Sequence, residues 1–245
     1  MLQPRDVIIH LLLYGDFPGL HERVLRSIEV HARGIPVRVW CNQVCEATAL
    51  RLAKLKEDPR WLVYLSAENK PKYKVMRHLF EAFKRPEGER SEAKWAVWFD
   101  DDSFIDRPDW FMGMSEYLEA NPTAVYIGKS FYVHHLPGQP EFIKASAWYR
   151  GVPWEQCPTR KAGVMAPGVT FATGGYWWLK ADVIRQLDWP DARLSHNGGD
   201  TLLGEAIRQH GLPFHRFNKG VAVNAAARRG VHEAPAGCLN PKERR

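Results

Sequence analysis

Cysteine is scarce in this 245-residue sequence: only Cys41, Cys45, Cys157 and Cys238 occur. None forms a C-x-x-C pair, and Cys41 with Cys45 has no matching second half, which argues against a zinc site. A chain so poor in thiols reads as a reduced, cytosolic protein. Long apolar runs are missing too. The opening run, residues 7–13, is far too short to span a bilayer. Tyr14-Gly15-Asp16 follows it where a secretory signal would place small residues for cleavage, so a soluble chain is expected. No internal repeat or low-complexity tract is visible, and a single domain is expected. With 45% hydrophobic and 25% charged residues, disordered and fibrous classes are excluded.

A chain of this length can bury roughly 70–75% of its unfolded surface, enough for one large α/β domain. Ten tryptophans are a heavy load, and Trp is more useful in recognition platforms than in cores. The net charge is +6, and residues 205–245 carry eight Lys/Arg against three acids, so the C-terminal segment holds nearly all of the excess.

Strand and helix patterns alternate four times in the first hundred residues. Strands are expected at 6–13, 36–41, 61–66 and 94–99, and helices at 19–34, 46–58 and 71–84. Leu20, Val24, Ile28 and His31 recur at helical spacing, as do Val75, Met76, Leu79, Phe80 and Phe83. This order argues for βαβ units and a parallel sheet of strands buried on both faces. A helix at 110–120 and a strand at 123–128 follow. Residues 129–168, rich in Gly, Pro, aromatic and basic residues without a period, read as a long functional loop. Regular structure resumes over 168–187 and 198–211.

The fourth strand stops at Asp100-Asp101-Asp102. Ligands of open α/β sheets bind at the carboxyl ends of strands, and three adjacent carboxylates there repel one another. A divalent cation relieves that repulsion, and hard oxygen ligands suit Mg²⁺ or Mn²⁺. The alternative is an Asx turn, with Asp106 and Asp109 marking the turn beyond.

Taken in order, the strand–helix opening, the four-strand α/β half, the acid cluster ending an apolar strand, Gly-Gly-Tyr-Trp-Trp at 174–178 and Asn-Gly-Gly-Asp at 197–200 resemble the GT-A fold glycosyltransferases, in their family-2-type and fringe-like forms. The likeness covers roughly residues 5–235. It implies a single GT-A, Rossmann-like domain with a mostly parallel central sheet flanked by helices. Residues 1–105 would form the nucleotide-sugar half, 106–235 the acceptor half and 236–245 a basic tail. The sequence departs from the pattern at 11–19, at Cys41-Asn42-Gln43 and at Gly199-Asp200, where the family has a polar opening, acidic residues and a Glu-Asp pair. The Q-x-x-R-W motif of processive synthases is missing.

The resemblance implies roles residue by residue. Asp102 would hold the metal that bridges the diphosphate of a nucleotide sugar, a UDP-sugar by expectation, with Asp100 and Asp101 on the ribose and sugar side. Asp200 would be the base that deprotonates the acceptor hydroxyl, giving inversion; an Asp ahead of a helix is also a good N-cap. Gly198 and Gly199 would leave room for a substrate. His232 would complete the metal site, or lie on the surface beside Arg228 and Arg229. Lys219, Arg228 and Arg229 would hold the diphosphate, or form a solvated basic face. Gly174 and Gly175 would let backbone approach the donor sugar. Tyr14, Asp16 and Asn42 are nucleobase candidates.

The acceptor side is less specific. Trp148, Trp154, Arg160 and Lys161, with Tyr176, Trp177 and Trp178 where they are not core, are its candidates. Basic and aromatic residues together suit a hydroxylated base in DNA or an anionic glycan. Three rivals compete: a nucleotidylyltransferase, whose glycine-rich, Arg-containing triphosphate loop is missing after the first strand; a metal-dependent nuclease or phosphatase, whose two-metal site needs several separated carboxylates where only one dense cluster is evident; and a non-catalytic sugar- or nucleic-acid-binding module.

Overall fold

The unbroken apolar runs become the inner strands of one sheet. In the computed structural model, which describes residues 1–159, 164–195 and 198–224, β1 (Val7–Tyr14), β2 (Val37–Asn42), β3 (Trp61–Ser66) and β4 (Trp95–Asp100) alternate with α1 (Pro18–His31), α2 (Glu46–Leu55) and α3 (Lys72–Lys84). β5 (Phe104–Ile105), α4 (Trp110–Ala120), β6 (Tyr126–His134), α5 (Gln139–Lys144), β7 (Glu155–Pro158) and β8 (Met165–Lys180) follow. α6 (Ala181–Gln186), α7 (Gly199–Gln209), β9 (Phe214–Arg216) and β10 (Val221–Ala222) complete the described chain.

The strand order is β3-β2-β1-β4-β8-β6-β9, with β7 added against β8. β3, β2, β1 and β4 run parallel, as the βαβ pattern requires. β8 is antiparallel to both β4 and β6, and β9 is parallel to β6. β5 and β10 form a separate antiparallel ribbon. No described helix is long and apolar enough to cross a membrane. Cys41, Cys45 and Cys157 carry free thiols.

Side chains alternate between two cores, one on each face of the sheet. Val7, Ile9, Leu11 and Leu13 of β1 pack with Val24 and Ile28 of α1 and Leu52 of α2, whereas Ile8 and Leu12 pack with α3 and α7. Helices on both faces explain why these strands show no polar alternation.

Two expectations are corrected here. Residues 129–168 are not one long loop: they hold the second half of β6, then α5, β7 and the start of β8. Their order comes from antiparallel pairing across the sheet, Ser130 opposite Ala172 and Glu155 opposite Gly168, and partners so distant leave no local period. The aromatic run on β8 is also core. Tyr176, Trp177 and Trp178 are at most 1% exposed, and Trp148 is 2% exposed. Trp177 lies flat on Trp98 of β4, ring centroids 6.0 Å apart, while Tyr176 and Trp178 face the opposite core. None of the four can offer a stacking face to an acceptor.

Trp177→Ala should therefore destabilise the protein by about 3–5 kcal/mol, the cost of emptying a large buried aromatic site. Urea denaturation measures this, and a loss below about 1 kcal/mol contradicts the core assignment.

Candidate active site

Parallel pairing ends β1 and β2 side by side at Tyr14 and Asn42, and β4 ends next to them at Asp100, opposite Leu12. A tight turn follows β4, closed by Ser103 N–H donating to the Asp100 carbonyl at 3.1 Å. That turn sends the three carboxylates in different directions. Asp100 accepts from Lys72 Nζ at 2.7 Å and from Trp98 Nε1 at 2.8 Å. Asp102, half-buried, accepts a long hydrogen bond from Ser103 Oγ at 3.3 Å. Burial, and then the neighbouring Asp100, raise the Asp102 carboxyl above its ordinary value.

Asp101 turns inward, which corrects its expected place beside the donor sugar. It is 3% exposed and meets His21 Nε2 at 3.5 Å. His21 is tied in turn to Thr48 Oγ1 at 2.9 Å. Burial, reinforced by Asp100 and Asp102, pushes the Asp101 carboxyl well up. Burial also lowers His21 to about 4. Burial thus disfavours the charged form of each group, and their 3.5 Å contact is longer than a good hydrogen bond.

The second half of the site comes from α3, β8 and α7. The register that sets Phe99 opposite Tyr176 leaves Gly174 and Gly175 just beyond the end of β4, level with the acid cluster. A Cβ on Gly174 would overlap the Asp200 carboxylate and stand 3.0 Å from Lys72 Nζ. The space that glycine leaves is thus filled by protein. Lys72 Nζ also donates to the Gly174 carbonyl at 3.1 Å.

Asp200 does not cap α7. The cap is Gly198, in the left-handed region at φ 82°, with no side-chain cap bond. Instead Asp200 Oδ1 accepts from Tyr73 Oη at 2.9 Å, and Oδ2 has no hydrogen bond among the described residues. The room expected at Gly199 is occupied by the Tyr73 ring, which a Cβ there would overlap.

Charge balance follows from this packing. Burial works against the Lys72 ammonium, but Asp100 and Asp200 outweigh it and hold the group above its ordinary value. Burial raises the Asp200 carboxyl; Lys72 opposes the rise, Asp100 adds to it and the Tyr73 bond opposes it. Burial and the Asp200 charge push Tyr73 well up, so its hydroxyl stays a neutral donor.

The chain returns to the acid cluster near its end. β10 pairs with β5, and Asn224 N–H then donates to Ser103 Oγ at 3.0 Å while its amide donates to Thr173 Oγ1 at 2.8 Å. Gly175 admits it: a Cβ there would overlap Asn224 Oδ1 and Ser103 Oγ.

Other expected residues fare differently. Tyr14, half-buried at the end of β1, packs edge-on against Phe17, and Asp16 is exposed beside it. Asn42 is 2% exposed with both amide atoms engaged, Oδ1 by Trp40 Nε1 and Nδ2 by the Lys70 carbonyl. It braces the β2 end instead of facing a nucleobase. Trp154 is half-buried and stacked on Tyr149. Lys219 is exposed in the turn before β10. Arg160, Lys161, Arg228, Arg229 and His232 lie outside the described residues. Among the described residues, no three His, Cys, Asp or Glu side chains converge as a metal-binding group.

Lys72, Tyr73, Ser103 and Asn224 were not foreseen. Tyr73 continues the apolar stripe of α3 and Lys72 sits in a run of lysines, so both pass for ordinary helix-surface chemistry.

The fold is of the GT-A type. A mannosyltransferase from Pyrobaculum calidifontis, PcManGT, solved with GDP-Man and Mn²⁺, superposes with a TM-score of 0.59 at 14% identity, over 93% of this chain and 59% of that one. Residues 1–349 of S. aureus TarS superpose with a TM-score of 0.51 at 12% identity, over 82% of this chain and 54% of that one. The chain therefore spans little more than half the length of either structure. In sequence, neither a family model nor a curated protein matches it.

Gly174→Ala should cost about 1–3 kcal/mol through overpacking against Asp200 and Lys72. Shortening Asp200 to Ala in the same chain should recover part of the loss. Additive costs in the double variant, read by urea denaturation, contradict the close approach.

Proposed function

We propose that the chain is a glycosyltransferase that moves a sugar from a nucleotide donor to an acceptor hydroxyl, inverting the anomeric carbon. The observation that carries this reading is the meeting, at one lysine, of the strand-end acid cluster with Asp200, a carboxylate that keeps one oxygen unpaired among the described residues. A base facing an electrophile-binding half is what a single displacement needs.

Asp102 would hold a divalent cation, Mg²⁺ or Mn²⁺, with His232 as a further ligand. The donor set fits: Asp102 is a half-buried carboxylate that, among the described residues, accepts only one long hydrogen bond, from Ser103 Oγ, and Mg²⁺ characteristically takes one or two carboxylates plus substrate phosphates. When bound, such a cation supplies Lewis-acid stabilisation of the leaving diphosphate. The PcManGT complex, with its GDP-Man and Mn²⁺, supports the ligand class. Tyr14 and Asp16 are the candidates for the nucleobase, and whether it is uracil or guanine is read by a donor panel. Lys219, Arg228 and Arg229 would balance the phosphates.

In the transfer, Asp200 Oδ2 takes the proton of the acceptor hydroxyl. The acceptor oxygen bonds to the anomeric carbon, and the bond from that carbon to the diphosphate breaks, its electron pair leaving with phosphate. Lys72 supports an ionised Asp200 before this step. For the acceptor, one half-exposed ring pair, Tyr149 and Trp154, suits a sugar ring better than stacked DNA bases, since the other ring candidates are core. A glycan is the acceptor class we favour.

Asp102→Asn should abolish Mn²⁺-dependent binding of a nucleoside diphosphate while leaving the fold intact; unchanged affinity by calorimetry would falsify the metal assignment. Asp200→Asn should slow transfer by about 10²–10⁴ with donor affinity unchanged. Because the Asp200 carboxyl is raised, the rate should climb with pH as it ionises, with the acid limb above the ordinary carboxylate value of about 4. A normal rate in the Asn variant removes Asp200 as base.

A further inference from the structure

Two adjacent residues at the first turn of α3 reach both halves of the site. Lys72 Nζ bonds to Asp100 Oδ2 at 2.7 Å and to the Gly174 carbonyl at 3.1 Å, using two of its three donors. Tyr73 Oη bonds to Asp200 Oδ1 at 2.9 Å, with its ring against the Gly199 backbone. Tyr73 is 2% exposed, and its own N–H donates to the Ser195 carbonyl at 3.0 Å, just ahead of α7. The helix is thereby fastened to the end of β4, to β8 and to the segment entering α7. A carboxylate accepts equally well at either oxygen, so what fixes the reactive one is whatever occupies the other.

We propose that Lys72 and Tyr73 are positioning residues for the transfer. Tyr73 occupies Asp200 Oδ1 so that Oδ2 is the oxygen presented to the acceptor, and Lys72 ties the donor-side Asp100 to the Gly174 backbone against which this base packs. The inference rests on the glycosyltransferase reading above and adds to it a device that sets the distance between base and donor. Gly174 and Gly199 belong to the same device: each is a glycine because a side chain would displace one member of the clamp. Placement errors near 1 Å cost about 10²-fold in such reactions, so a clamp of this kind is read in kcat.

The experiment compares steady-state transfer by the wild type, Tyr73→Phe, Asp200→Asn and the double variant, using the nucleotide sugar that the wild type turns over fastest with Mn²⁺. Phenylalanine keeps the ring packed on Gly199 and removes only the hydroxyl. Tyr73→Phe should lower kcat about 10- to 100-fold, as expected for one hydrogen bond to a charged group, with the donor KM within about twofold. Because Tyr73 acts through Asp200, the double variant should be no slower than Asp200→Asn alone. If Tyr73→Phe folds poorly, Lys72→Met in the same cycle replaces it, with the same non-additivity expected and a raised donor KM. A kcat within twofold of wild type, or penalties that multiply in the double variant, overturns the clamp while leaving the glycosyltransferase reading standing. A wild type that turns over no nucleotide sugar overturns that reading and the clamp together.

Discussion

One ammonium group organises this site. Opposite unit charges about 4 Å apart attract by about 4 kcal/mol at an effective dielectric near 20, so a cation that attracts both the Asp100 and the Asp200 carboxylates joins the two halves of the site. Lys72 supplies it from the first turn of α3, in contact with Asp100 and with the backbone of β8 beside Asp200. α3 can deliver that charge because its apolar stripe, Val75 to Phe83, is seated against the sheet.

β8 is the joint between the two halves. It runs antiparallel between β4 and β6, with its aromatic half buried in both cores. Gly174 and Gly175, two of its three glycines, fall at the level where β4 ends. Gly174 lets Asp200 and Lys72 close on the strand from one side; Gly175 lets Asn224 and Ser103 do so from the other. The β5–β10 ribbon then draws the end of the described chain to Asp102's neighbour, Ser103. The sheet register sets where the acid cluster and the two glycines meet, and α3, α7 and the β5–β10 ribbon bring the remaining polar groups to that level.

Much of this was legible in the sequence. β1 to β4 declare themselves because strands covered on both faces must be continuously apolar. The acid triplet and Asp200 stand out because carboxylates are costly at such places. The fates within the triplet were not legible: three identical side chains reveal nothing of the turn that sends Asp101 to His21. Nor could the run Tyr176-Trp177-Trp178 show that helices cover both of its faces. Lys72 and Tyr73 were hidden for another reason. Their partners are 28 residues away at Asp100 and 127 away at Asp200, and no local pattern encodes such a meeting.

The central claim is that the strand-end cluster around Asp102 receives the phosphates of a nucleotide through a divalent cation, opposite Asp200. Its most direct measurement is anomalous diffraction from crystals of the full chain grown with Mn²⁺ and a nucleoside diphosphate. The account predicts a manganese peak bound by the Asp102 carboxylate, with the diphosphate on it and Asp200 across an open space. A peak and nucleotide bound elsewhere, with Asp102 and Asp200 untouched, would contradict it.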